Sequence, residues 1–157
     1  MKKVKKQDTV WLSRKKFAFF QDWGTYPTET FVAVGMAHEE ILDAMRTMGC
    51  KKSYIKRYDA SIGPDKDKAY EPNGAFTWKA RGNSGLNLLW LSEWKNNMPW
   101  YANLVHETNH MIKRNLTDYR GMEDETEAQA YQQEYLFTRI AATCSKAIKL
   151  KHAPRAK

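Results

Sequence analysis

Residues 98–116 carry the sequence MPWYANLVHETNHMIKRNL. Apolar side chains recur in this stretch at helical spacing and share one side of the helix. The residues on that side are Leu104, Val105, Met111 and Ile112. His106 and His110 fall on the opposite side. The pattern predicts an amphipathic helix that packs on a core through its apolar side and carries two histidines on its outer side.

The two histidines belong to the pentapeptide HETNH at residues 106–110, which matches the pattern H-E-x-x-H. A separation of four residues is slightly more than one helical turn, so both imidazoles can converge on one ion. Zinc accepts imidazole nitrogens at about 2.0–2.1 Å, and catalytic zinc sites use three protein ligands and leave a position for water. We therefore predict His106 and His110 as zinc ligands and Glu107 as the general base. The alternative is that both histidines are ordinary solvent-facing residues.

A third ligand has to come from outside the pentapeptide, because no third histidine follows at short spacing. A second helix is predicted over about residues 122–148, and a turn at 117–121 would fold it back across the first. Glu127 on that helix is the candidate. The alternative is that Glu127, like the acids at 123–125, complements the positive end of the helix dipole. Spacing leaves both alternatives open.

The pentapeptide is followed by a helix with the sequence EAQAY at residues 127–131. This combination resembles the metallopeptidases of tailed bacteriophages and, more distantly, the minimal gluzincins. The resemblance covers about residues 74–140. It implies that His106, His110 and Glu127 hold one zinc ion per chain. Glu107 would be the base, and the substrate would be a peptide or a protein.

Tyr131 departs from this resemblance. Thermolysin-like enzymes carry an aspartate at the position four residues after the ligand glutamate, where it orients a histidine ligand. A phenol oxygen can accept an imidazole N–H more weakly, or its O–H can donate to an oxyanion that forms in the reaction. Tyr131 is therefore a candidate catalytic residue, and simple packing is the alternative.

The rest of the chain alternates strand and helix signals. The predicted elements are strands at 30–34, 53–58, 75–80 and 86–92, helices at 38–48, 98–116 and 122–148, and a long surface loop at 61–74. Gly49 suits the position just after the first helix. The last two strands would form a β-hairpin, and strand 86–91 would be the edge on which an extended substrate pairs. We predict an α+β fold with a small twisted antiparallel or mixed sheet, an early packing helix, and two antiparallel C-terminal helices that carry the metal site.

The chain has 157 residues, 42% of them hydrophobic, and a net charge of +8, which suits a single domain. The excess positive charge lies at the ends, since residues 17–145 hold 14 Lys and Arg against 17 Asp and Glu. We therefore predict basic tails at 1–16 and 146–157 around a zincin-like domain at 17–145. Such tails favour solubility and weak, salt-sensitive contacts with polyanions.

No stretch of the chain approaches 18 consecutive apolar residues, and its beginning lacks the apolar run of a secretory signal. Cys50 and Cys144 cannot form a disulfide framework. We expect a protein without membrane contact in a reducing compartment, the cytoplasm or, for a phage-encoded chain, the virion. The whole pattern predicts a zinc-dependent metallopeptidase. The alternative is a non-catalytic, metal-stabilised phage protein with a structural or nucleic-acid-interacting role.

Overall fold

The computed structural model describes residues 9–24, 26–80, 86–116 and 126–150. Its centre is a five-stranded sheet in the order β1-β2-β3-β5-β4. The strands are β1 (Thr9–Ser13), β2 (Lys16–Trp23), β3 (Tyr26–Val34), β4 (Ala75–Lys79) and β5 (Asn87–Leu91). β3 and β5 run parallel, and the other neighbouring pairs are antiparallel. This mixed sheet with its helices confirms the α+β fold that the sequence predicts.

Helices cover both faces of the sheet. They are α1 (His38–Thr47), α2 (Lys52–Ile62), the single-turn α3 (Lys66–Ala69), α4 (Met98–Leu116) and α5 (Thr126–Lys149). Phe19, Val32 and Leu89 point to one face and pack in a cluster with α4 and α5. Phe31 and Trp90, which alternate with them, point to the other face and pack with α1 and α2. The sheet therefore separates an α1–α2 side from an α4–α5 side.

β4 and β5 form the predicted hairpin, with Ala75 opposite Leu91 and Lys79 opposite Asn87. Every residue of β5 is buried, and β3 pairs with its other side. The prediction that strand 86–91 offers a free sheet edge is therefore wrong. β4 is the outer strand on this side of the sheet, and it lies beside α4.

Residues 53–58 are part of helix α2, so the prediction of a strand there is wrong. Their bulky side chains favour a strand locally. Ile55 and Tyr58, however, lie three residues apart and bury one side of a helix in the α1–α2 cluster. The segment predicted as a loop at 61–74 likewise contains a 3₁₀ turn, Gly63–Asp65, and the short α3.

Helix α1 ends as its sequence predicts. Gly49 adopts a left-handed conformation with φ of 76°. Its amide donates to the Arg46 carbonyl oxygen at 3.1 Å, and the Cys50 amide donates to the Met45 carbonyl oxygen at 2.9 Å. These two bonds form the Schellman arrangement that closes many helices. The chain thereby turns within residues 48–51 and begins α2.

Regular elements extend into both of the predicted basic tails, 1–16 and 146–157. β1 lies within the predicted tail at 1–16 and pairs with β2, which itself begins at Lys16. α5 continues to Lys149, past the predicted boundary at residue 145, and Ala147 is still buried in the core. Side chains that the charge pattern assigns to tails therefore belong to the sheet and to the last helix.

The two predicted C-terminal helices are present. α4 spans the residues predicted for it, and α5 is described from Thr126 onward. The predicted turn at 117–121 and the predicted start of the second helix at 122–125 lie outside the described residues. Among the helices that the structure describes, none is both long and apolar enough to cross a membrane.

Candidate metal centre

Helix α4 presents the two predicted zinc ligands side by side. Nε2 of His110 lies 3.0 Å from Nε2 of His106. The ring centroids are 4.5 Å apart, and the ring planes meet at 89°. Both side chains are exposed. Helical spacing brings the rings to the same side of α4, and their orientation makes the two Nε2 atoms converge.

The separation of these nitrogens fits a shared metal ion. Two nitrogens bound to a tetrahedral zinc ion at about 2.0–2.1 Å lie about 3.3 Å apart. A shift of about 0.3 Å would therefore give both rings their zinc distances. The same separation also suits a hydrogen bond between two neutral rings, one protonated at Nε2 and one not. The pair fits two positions of a zinc site, and the alternative of two ordinary surface histidines stays open.

Glu107 lies on the flank of α4 that faces β4. It is partly buried, and its carboxyl group forms a hydrogen bond with the side chain of Thr77. Burial raises the pKa of the Glu107 carboxyl, although the two adjacent imidazoles, the Thr77 hydrogen bond and Arg114 each act to lower it. A carboxylate with a raised pKa binds a proton more readily, which suits a general base.

Arg114 joins the same flank of α4 to β4. Its Nη1 donates to the carbonyl oxygen and to the hydroxyl of Thr77, at 3.2 Å each. The Lys79 ammonium donates to the Arg114 carbonyl oxygen at 3.2 Å. These bonds hold β4 against α4, and they keep Thr77 beside Glu107.

Hydrogen bonds also fix the other sides of α4. Gln133 on α5 donates through Nε2 to the Val105 carbonyl oxygen at 3.1 Å and to the Thr108 hydroxyl. Toward the sheet, Asn115 donates to the Asn87 side-chain oxygen at 2.8 Å, and both residues are buried. α4 therefore carries the histidines on a support that is tied to β4, β5 and α5.

Glu127 is exposed in the first turn of α5. Within the described ranges, no three His, Cys, Asp or Glu side chains lie close enough together to hold a metal ion. The structure thus brings His106 and His110 together but does not bring Glu127 to them. The role of Glu127 as the third ligand stays a prediction. The acids at 123–125, which the dipole alternative invokes, lie outside the described residues.

Tyr131 lies on α5, and its side chain is 66% exposed. This exposure disfavours the alternative that the ring simply packs in the core. The proposed contact with a histidine ligand and the proposed donation to an oxyanion both remain predictions.

Three residues of the site region could not be predicted from the sequence: Thr77, Arg114 and Gln133. Strand alternation does place Thr77 on the α4 side of β4, and Arg114 follows Glu107 by seven residues, or about two helical turns. Their contacts nevertheless depend on which strand and which helix lie beside α4. No local pattern of the sequence reports that arrangement.

A second polar cluster lies on the α1–α2 side of the sheet. His38 is only 5% exposed. Its Nε2 lies 2.8 Å from Asp59 Oδ1, and its Nδ1 lies 3.0 Å from the Tyr70 hydroxyl. The Tyr70 hydroxyl also forms a hydrogen bond with the Tyr58 hydroxyl. A carboxylate can only accept, so Nε2 carries a proton. In the neutral imidazole Nδ1 then accepts from the Tyr70 hydroxyl, and the Tyr70 oxygen is left to accept from the Tyr58 hydroxyl.

We expect Tyr70→Phe to destabilise the protein more than Tyr58→Phe does. The Tyr70 hydroxyl both donates and accepts, so its loss leaves two groups without their partner, at a cost of about 1–3 kcal/mol each. Loss of the Tyr58 hydroxyl leaves the donation from Tyr70 to His38 intact. Urea denaturation should show a difference of about 2 kcal/mol in the free energy of unfolding. Equal losses would contradict the assigned direction of these hydrogen bonds.

Comparison of the chain with family models, with curated proteins and with solved structures finds no match. The site is therefore described by its own geometry and by the H-E-x-x-H pattern of residues 106–110.

Proposed function

We propose that this protein is a zinc-dependent hydrolase whose substrate is a peptide or a protein. The observation that carries the proposal is the convergence of the His106 and His110 Nε2 atoms, 3.0 Å apart, beside the partly buried carboxyl of Glu107. Imidazole nitrogens and a neighbouring carboxylate are the groups that a catalytic zinc site uses. The H-E-x-x-H pattern at residues 106–110 supports the same chemistry.

His106 and His110 would hold the ion, and Glu127 on the neighbouring helix is the proposed third ligand. Zinc bound by such a set supplies Lewis acidity. Glu107 accepts a proton from the attacking water and returns it to the leaving amine as the peptide bond breaks. Tyr131, one turn along α5 from Glu127, is proposed to donate to the developing oxyanion or to orient a histidine.

The outer strand β4 replaces strand 86–91 as the proposed place for an extended substrate. The Gly74 carbonyl and the Ala80 amide bond to residues flanking β5. Backbone alternation therefore directs the groups of Thr77 away from β5, toward the outer side. Arg114 donates a hydrogen bond to the Thr77 carbonyl oxygen on that side. A peptide that pairs along the whole of β4 would have to replace this hydrogen bond with one of its own.

Zinc-loaded protein is expected to hold about one ion per chain, measured by inductively coupled plasma mass spectrometry. His106→Ala and His110→Ala should each abolish stoichiometric zinc, whereas Asn109→Ala, exposed on the same helix, should not. Glu127→Ala should weaken zinc binding sharply, and Glu134→Ala, exposed on the same helix, should leave it nearly unchanged. Wild-type protein that stays metal-free after loading would refute the proposal. Equal effects at the two glutamates would exclude Glu127 as a ligand.

A further inference from the structure

A chain of hydrogen bonds leads from Arg114 through Thr77 to Glu107, and the proposed function gives a role only to its last member. Arg114 Nη1 donates to the Thr77 hydroxyl at 3.2 Å, and the Thr77 side chain forms a hydrogen bond with the Glu107 carboxyl. A guanidinium can only donate and a carboxylate can only accept. The Thr77 hydroxyl therefore accepts from Arg114 and directs its own hydrogen to the Glu107 carboxylate.

The sheet directs the Thr77 side chain toward α4. Thr77 is opposite Leu89 in the antiparallel pair of β4 and β5, and residues directly opposite each other in such a pair have their side chains on the same face. Leu89 packs in the cluster with α4 and α5. The Thr77 hydroxyl is therefore held beside α4 by the strand that carries it.

Helix α4 brings both ends of this chain of hydrogen bonds to the same flank. Glu107 and Arg114 are seven residues apart, which is about two helical turns, and both contact Thr77. The Arg114 side chain is exposed, whereas Thr77 and Glu107 are partly buried. The chain thus runs from an exposed guanidinium inward to a carboxyl group whose neighbours on the same helix are the two histidines.

Other contacts hold α4 against the sheet without the Thr77 hydroxyl. The Lys79 ammonium donates to the Arg114 carbonyl oxygen at 3.2 Å. Asn115 donates to the Asn87 side-chain oxygen at 2.8 Å, and both of these residues are buried. Removal of the Thr77 hydroxyl should therefore leave α4 and its histidines in place, while the Glu107 carboxyl loses the hydrogen that Thr77 donates.

The position of a general base decides how well it works. The base must lie within hydrogen-bond reach of the proton that it accepts, and a misplacement of about 1 Å can slow a reaction about 100-fold. Glutamate is also a long side chain that loses much rotational freedom when it is fixed. The one hydroxyl hydrogen of Thr77 can bind one oxygen of the Glu107 carboxylate, so the other oxygen remains for the attacking water.

We propose that Thr77 is a positioning residue, which holds the Glu107 carboxyl in the orientation that accepts a proton from the attacking water. Arg114 in turn positions the Thr77 hydroxyl for this donation. Both residues act through Glu107, so the inference rests on the proposed hydrolase. A purely structural role for the same contacts would change the stability of the protein and leave kcat unchanged.

The test compares the zinc-loaded full chain with Thr77→Val and Thr77→Ser, on a peptide or protein that the wild type hydrolyses. Valine keeps the branched shape without the hydroxyl, so kcat should fall about 10- to 100-fold with little change in KM. Serine keeps the hydroxyl and should restore most of this loss. Thr9→Val is the matched control and should leave kcat unchanged, because Thr9 is a partly buried threonine on β1, at the other edge of the sheet.

Arg114→Met tests the first member of the chain of hydrogen bonds. It should lower kcat less than Thr77→Val does, because the Thr77 hydroxyl can still donate to Glu107 but is no longer held in place. The double variant Thr77→Val, Arg114→Met should be no slower than Thr77→Val alone. Lys113→Met removes the same charge from an exposed neighbouring position and should leave kcat unchanged. Losses that multiply in the double variant would contradict the positioning role of Arg114.

The outcomes separate this inference from the proposed function. Wild-type kcat in Thr77→Val, failure of serine to restore the rate, or loss of zinc from Thr77→Val would each overturn the inference while the hydrolase stands. A wild type that hydrolyses no substrate, or full activity in Glu107→Gln, would refute the proposed function and the inference with it. Circular dichroism melting of each variant confirms that the fold is intact, and Arg114→Met decides the question if Thr77→Val does not fold.

Discussion

Replacing Glu107 by glutamine is expected to slow hydrolysis by about 10²- to 10⁴-fold, while zinc binding and the fold stay intact. The amide has the size of the carboxyl group and can keep a hydrogen bond with Thr77. It cannot accept the proton of the attacking water, so the loss should fall on the chemical step. kcat should therefore drop with kcat/KM, and KM should change little.

A screen of peptide and protein substrates with zinc-loaded wild type provides the substrate for this measurement. Glu134→Gln is the matched control, because Glu134 is an exposed glutamate on α5, and its rate should equal the wild-type rate. Equal rates for wild type and Glu107→Gln on a confirmed substrate would show that Glu107 is not the base. Stoichiometric zinc without any hydrolysis by the wild type would favour the non-catalytic, metal-stabilised alternative.

Gly35→Ala is expected to destabilise the fold by about 3 kcal/mol or more. Gly35 follows β3 with φ of +66°, a conformation that side chains with a Cβ rarely adopt, and an added Cβ would lie 2.0 Å from the Lys15 carbonyl oxygen. The Gly35 amide donates to the Leu91 carbonyl oxygen at 2.8 Å, so the residue is held from the other side. Relief of the clash would therefore require the turn between β1 and β2 to move.

Gly24→Ala separates this clash from the cost of the left-handed conformation. Gly24 has the same φ of +66°, but its added Cβ would lie 3.3 Å from the ring of Tyr135. Its substitution should cost about 1–2 kcal/mol. Urea denaturation of both variants gives the two free energies of unfolding. Equal losses would show that the Lys15 contact relaxes without cost.

Local signals account for the sequence predictions that the structure confirms. The apolar side chains of α4 repeat at helical spacing, so its extent could be predicted. Gly49 marks the end of α1 because the left-handed conformation there suits glycine. The hairpin of β4 and β5 follows from two apolar runs on either side of a short polar segment. Each of these signals lies within a single element or a single turn.

Tertiary packing accounts for the predictions that the structure corrects. The residues of α2 favour a strand locally. Ile55 and Tyr58 nevertheless both pack in the α1–α2 cluster. Residues three apart share one side in a helix but lie on opposite faces of a strand. β1 could not be predicted because its short apolar run lies among the basic residues at 1–16. Its apolar character becomes clear only when Trp11 stacks on Phe17 of the paired strand, with ring centroids 5.1 Å apart.

In the candidate site, too, local signals place some residues and tertiary packing places the others. His106, Glu107 and His110 lie within little more than one helical turn, so their mutual placement follows from the helix itself. The hydrogen bond between Glu107 and Thr77 joins segments that are thirty residues apart in the chain. Glu127 lies on another helix, and no local rule fixes how that helix is rotated toward α4.

The sheet places α4 and α2 on opposite sides of the domain, with their exposed residues directed away from each other. A molecule that covers the outer side of α2 would therefore leave His106 and His110 open to the solvent.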